Sequence, residues 1–332
     1  MTASPVLGSQ RRARRSHLAA AACAAALCAA SAAPAAADGD TSATKPTVVL
    51  IHGAFADGSS WNGVAERLER RGYKVMAPAN PLRGLYNDAT YISSVLDSVK
   101  GPVVLAGHSY GGAVISSAAV GHPQVKALVY IDALMPDVGE SGASLAARFP
   151  SALGTATRSV PYREGHGQSG TDLYLKRDKV YPVFAACLPE RQANLLGVTQ
   201  RPAATTAFSE TAKVAAWKTI PSWAMVGRQD MTINPEQERF QARRAHSHTV
   251  EINSCHVSLI AHPDAVTDLI LQAATASGSG SGSGAASGPS LADTGSAAPR
   301  RELTGLGGIA GVSLVAGAGA LLVGRRLRRR LR

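Results

Sequence analysis

Between residues 45 and 276 the chain alternates short, continuously apolar runs with stretches of helical periodicity, and that alternation constrains its fold most. The runs are TVVLI (47–51), YKVMAP (73–78), PVVLAG (102–107), VKALVYI (125–131), PSWAMVG (221–227) and HTVEI (248–252). Helical patterns occupy 61–71, 89–99, 112–120, 236–244 and 263–274. A strand apolar on both faces must be covered on both, and strands separated by helices pair in parallel. The expected class is therefore α/β, a mostly parallel sheet with helices on both faces. One insertion breaks the rhythm. Residues 134–218 hold no clear buried strand and are rich in Pro, Gly and Ala, which predicts short helices and loops forming a helical cap.

The two ends read differently from the middle. Most of the net charge of +11 lies there: residues 1–37 carry four arginines, and from Leu291 onward eight arginines face two acids. About +1 remains for residues 38–290, which argues against nucleic acid as a partner. RRARR, an Ala/Leu run and APAAADGD have the form of a secretory signal peptide over 1–37, leaving 38–276 as the folded domain. Cys23 and Cys28 leave with that peptide. Cys187 and Cys255 remain, either bridged in an oxidising compartment or as two partly buried thiols.

Residues 277–290 read as a flexible Ser/Gly-rich linker. LADTG follows at 291–295, then an uncharged span at 303–324 long enough as a helix to cross a bilayer, then a basic tail at 325–332. In that order these parts resemble a sortase sorting signal of Gram-positive bacteria. The resemblance implies cleavage between Thr294 and Gly295, transfer to peptidoglycan by a sortase, and a cell-wall-anchored protein on the cell surface. A plain membrane anchor through the span is the alternative.

Near the centre, VVLAGHSYGGAV places Gly107, Ser109 and Gly111 as G-x-S-x-G between an apolar strand and a helix. So sharp a turn lifts a serine hydroxyl above the carboxyl end of the strand, and its flanks must be small to avoid collision. A serine is a weak nucleophile without a base, and the base needs an acid to orient it. In this architecture they follow in the order serine, acid, histidine. Asp230 in GRQD and His256 in NSCHVSL satisfy that order, each just past an apolar strand. Asp132, which ends ALVYID, is the rival acid. His246 and His248 form an H-x-H pair with no further ligands clustered nearby, and no metal is expected. The oxyanion of an acyl-transfer intermediate needs two N–H donors. The amides of Tyr110 and Ala54 are the candidates, with Phe55 next, and His52 is expected to hold the Ala54 loop by hydrogen bonds.

IHGAFADGSSW, GHSYGGAV, GRQD and CHVSLIAHP together resemble the α/β-hydrolase superfamily over about 230 residues. The likeness is to small esterase-like members, similar to plant methylesterases and hydroxynitrile lyases. It implies a cofactor-free Ser-His-Asp hydrolase acting on a small-molecule carboxylic ester. Such lyases carry a lysine after the catalytic histidine, where this chain has Val257. A lyase or a cofactor-free perhydrolase on the same scaffold and a non-catalytic surface binding module are the other readings. Phe55, Tyr162 and Trp217 are expected to line the substrate pocket, with Tyr174, Tyr181, Phe149 and Phe184 as further cap aromatics.

Overall fold

The computed structural model describes residues 44–163, 167 and 169–278. The predicted signal peptide and the sorting signal, with Thr294 and Gly295, lie outside the described residues. In chain order the strands are β1 (Thr47–Ile51), β2 (Val75–Met76), β3 (Val103–His108), β4 (Val125–Ile131), β5 (Thr157–Arg163), β6 (Ser169–Leu175), β7 (Ala203–Ala204), β8 (Ser222–Gly227) and β9 (His248–Ile252). The helices are α1 (Asn62–Arg70), α2 (Leu85–Asp97), α3 (Tyr110–Ala118), α4 (Gly142–Arg148), α5 (Leu153–Ala156), α6 (Arg177–Lys179), α7 (Glu190–Thr199), α8 (Thr205–Ser209), α9 (Pro235–Arg244), α10 (Ser258–Ala261) and α11 (Pro263–Gly278). Ser277 and Gly278, assigned to the linker from the sequence, instead complete the last turn of α11.

Six strands form a parallel sheet in the order β2-β1-β3-β4-β8-β9. Every residue of β1, β3 and β8 is buried, and Lys126 alone is exposed on β4. Strands with no polar face are stable only between two layers. One layer is α2 packed on α3; the other is α1 packed on α11. The face of α2 that does this is written in its spacing, because Leu85, Ala89, Ile92 and Leu96 recur every three to four residues and are buried. Among the described residues no helix is long and apolar enough to cross a membrane.

Between β4 and β8 the cap contains α4 to α8 and also β5, β6 and β7, which pair antiparallel in a second sheet. The helical cap expected from the sequence is thus a mixed one. β5 (TRSVPYR) is at least partly exposed along its whole length and carries charge and a proline, β6 mixes buried and partly exposed residues, and buried β7 is two residues long, so no apolar run announces them.

Candidate active site

The parallel sheet sets where the chemistry-bearing side chains emerge. β3 ends at His108 and α3 begins at Tyr110, so Ser109 alone makes the turn, at φ 53° and ψ −126°. An L-residue adopts that conformation only where its surroundings enforce it. The Ser109 N–H donates to the Ile131 carbonyl (3.2 Å), and its own carbonyl accepts from Gly112 and Leu134. A Cβ on Gly107 would lie 2.6 Å from the Gly111 carbonyl oxygen; one on Gly111 would lie 2.5 Å from that of Ile51. The first glycine clears the turn itself, while the second admits β1.

Asp230 follows β8 and His256 follows β9, and both arrive beside Ser109. His256 Nε2 lies 2.9 Å from Ser109 Oγ, and His256 Nδ1 lies 2.6 Å from Asp230 Oδ2. The other oxygen of Asp230 accepts from the N–H groups of Thr232 (2.6 Å) and Ile233 (2.9 Å), which fixes the carboxylate plane. All three side chains are buried. Such a row can draw the serine proton onto the imidazole while the carboxylate holds the opposite ring nitrogen in its protonated form.

The loop after β1 completes the surroundings. His52 donates from Nδ1 to the Gly53 carbonyl and accepts at Nε2 from the Asn80 N–H, while the Asn80 amide donates to the His52 carbonyl. The ring therefore works as a neutral loop fastener, and burial lowers its pKa accordingly. A Cβ on Gly53 would lie 2.6 Å from that of Ser109, so the loop backbone rests on the serine. The Phe55 N–H donates to the Arg201 carbonyl (3.1 Å), which removes the second-choice oxyanion donor. Tyr110 is the first residue of α3, where N–H groups lack helical partners.

Ala54, Phe55 and Ser109 line a cavity of about 300 Å³ beneath the cap, walled by residues including Leu134, Leu173 and Phe208. Among the described residues, none of its lining side chains is charged. A larger cleft of about 830 Å³, between α2, α3 and the cap, contains none of the row.

Behind Asp230 stand two more buried carboxyls. Asp132, Asp230 and Glu238 offer oxygens within 4.8 Å of one another, the donor set among the described residues that could converge on a cation. Burial first, then the Asp230 charge, pushes the Asp132 carboxyl well above its ordinary value; Glu238 is raised in the same way. Burial and like charge thus favour the protonated form of both carboxyls behind Asp230. Asp132 accepts from the Ser258 N–H (3.0 Å) instead of touching the imidazole.

The Alpha/beta hydrolase family pattern matches residues 48–269. The chain belongs to that family. The carbendazim hydrolyzing esterase of a Nocardioides species is 36% identical over 118 residues, 32% of this hydrolase and 48% of that protein. This match spans about half the relative's length. The alpha/beta hydrolase nvfD of Aspergillus novofumigatus is 27% identical over 254 residues, 69% of this hydrolase and 97% of that protein. Among solved structures, polyneuridine aldehyde esterase shares the fold with a TM-score of 0.60 at 18% identity, covering 69% of this hydrolase and 98% of that chain.

Two pocket expectations fail in the hydrolase. Tyr162 lies on β5 under the Arg83 guanidinium, 4.9 Å from its ring centre, and Trp217 is a packing residue whose Nε1 donates to the Pro136 carbonyl. Neither lines the cavity beside Ser109, and nor do Tyr174, Tyr181, Phe149 or Phe184; Phe208, which lines it and stacks on Phe55, was not anticipated. Gln237 and Glu238 were also missed, since polar residues in a helix's first turn usually face solvent. Cys187 and Cys255 are bridged, resolving the alternative left open by the sequence.

Proposed function

We propose that this hydrolase cleaves carboxylic esters of small molecules through an acyl-serine intermediate. Ser109 Oγ attacks the ester carbonyl as His256 Nε2 takes its proton. Asp230 holds the ring in the tautomer that can accept it and stabilises the imidazolium. The amides of Ala54 and Tyr110 donate to the oxyanion. His256 then protonates the leaving alcohol, and water repeats the sequence to free the acid. Each step uses side chains and amides of this chain together with water. The observation that carries this reading is the unbroken row from Ser109 Oγ to Asp230 Oδ2, at 2.9 and 2.6 Å, opening on an uncharged cavity. The esterase relatives support the ester as substrate class.

The test is a panel of para-nitrophenyl esters of graded acyl length with wild type and Ser109→Ala. Wild type turns over at least the short esters and takes up a fluorophosphonate label on Ser109. The variant loses about four to six orders of magnitude in kcat and all labelling. Ester cleavage by Ser109→Ala near the wild-type rate overturns the reading.

We further infer that the protein is exported and joined to the cell wall through Thr294, on the strength of the signal-peptide pattern and the LADTG, span and basic-tail order. The Cys187–Cys255 bridge supports an oxidising compartment. Mass spectrometry of protein released from the wall by a muramidase finds a C-terminal Thr294 joined to a peptidoglycan fragment. A chain still extending through 303–324 in that fraction overturns it.

A further inference from the structure

The cavity that reaches Ser109 is apolar on most of its wall, through residues such as Leu134, Leu153, Leu173, Phe208 and Ile233. Its polar side chains are largely engaged elsewhere. Ser109 Oγ meets His256, Ser151 Oγ donates to the Thr232 carbonyl (2.7 Å), and Thr232 Oγ1 donates to the Val183 carbonyl (2.9 Å). Gln237 differs. Only 2% of it is exposed, it lines the same cavity, and its Nε2 is buried with no hydrogen-bond partner among the described residues.

That position is fixed by its helix. Asn234 caps α9 through the Glu236 N–H, and the Gln237 N–H donates to the Asn234 carbonyl, so the first turn is held and its second residue after the proline faces inward. A leucine there would suit an apolar wall without leaving a donor unpaired. A buried N–H is a cost to the free protein unless something brings it an acceptor, and in an apolar cavity such a donor discriminates strongly between ligands that can and cannot answer it.

We propose that Gln237 is a specificity-determining residue, and that this hydrolase prefers uncharged esters carrying a second acceptor oxygen a few bonds from the scissile carbonyl. The inference rests on the ester-cleaving reading of Ser109 and deepens it. Both residues line one cavity of about 300 Å³, so the second oxygen belongs to the same small substrate, as a keto or ether group. The absence of charged side chains from the lining disfavours carboxylate- and ammonium-bearing esters, which would be desolvated there unpaired.

The experiment compares para-nitrophenyl levulinate with isocaproate and para-nitrophenyl methoxyacetate with butyrate, pairs matched in shape and differing in the acceptor oxygen. Wild type favours the oxygen-bearing member of at least one pair by ~10-fold or more in kcat/KM, and Gln237→Leu brings that ratio to within about 3-fold of unity. No preference in wild type in either pair, or a preference that survives in Gln237→Leu, overturns the proposal. Each ratio is divided by that of spontaneous hydroxide hydrolysis, which the electron-withdrawing oxygen alone accelerates, and so corrected the wild-type comparison decides even where the variant does not fold. In parallel, N-methylamides of the same four acids are titrated calorimetrically into Ser109→Ala. The same preference in affinity supports the role of Gln237 without any chemistry, so its persistence alongside failed hydrolysis counts against the ester reading alone.

Discussion

Cys187 of the cap is bonded to Cys255, the residue immediately before His256. The loop that carries the imidazole is therefore covalently tied to the cap. His256 gains a second tie through its carbonyl, which accepts from His108 Nε2 (2.9 Å), and a third through the ring of Phe184, centred 5.2 Å away.

Reduction of that bridge tests how much the tie matters. The bonded residues are 68 apart, so opening the loop is worth about 4 kcal/mol in the chain-entropy model. Cys187→Ser, or wild type in reductant, is expected to melt about 10 °C lower. Calorimetric scans with and without reductant check this; an unchanged Tm means that the bridge constrains nothing the packing does not.

Asp132 and Asp230 each follow a strand, β4 and β8, but only Asp230 reaches the imidazole. Asp230→Asn keeps the shape and favours the wrong tautomer, so kcat should fall about 10⁴-fold. Asp132→Asn can still accept from Ser258, and its kcat should stay within about 10-fold of wild type. Steady-state rates of the two variants on one ester check the assignment; the reverse ranking exchanges their roles.

Much of this is legible in the sequence. The positions of Ser109 and Asp230 could be read because each follows an apolar strand, and that of His256 because it follows the last, more exposed strand in the expected chain order; a parallel sheet delivers the ends of its strands to one edge. The cap resisted reading for an opposite reason. Its aromatic residues satisfy themselves in several ways: Trp217 through the Pro136 carbonyl and the Arg244 guanidinium, Tyr162 beneath Arg83. No periodicity distinguishes those uses from lining a cavity. Gln237 and Glu238 were illegible because a helix's first turn favours acidic and polar residues on its exposed face for dipole reasons alone.

Glu238 makes the protein's stability depend on pH. Its carboxyl is raised well above the ordinary value by burial, and next by the charges of Asp230 and Asp132. The folded state thus keeps a proton that the unfolded chain releases above about pH 4. Its contribution is full below that pH and is lost as pH rises towards the folded value. Glu238→Gln removes this dependence. The Tm of the variant relative to wild type should therefore rise as pH increases above the ordinary carboxylate range, and parallel Tm–pH curves would refute the assignment.

The cap face offers a way to resize the cavity without touching the core. Ala146 lines the cavity from α4 yet is itself exposed, so a larger side chain there projects into open space at the entrance. Ala146→Phe should leave Tm within about 2 °C, since surface substitutions away from special features usually change stability little. The effect belongs in selectivity. A narrowed entrance penalises a long acyl chain more than a short one, and each excluded methylene is worth roughly 10-fold or more in kcat/KM. The ratio of octanoate to acetate ester hydrolysis should accordingly drop by at least about 10-fold in the variant. A ratio equal to that of wild type would mean that substrate reaches Ser109 by a path that does not pass α4.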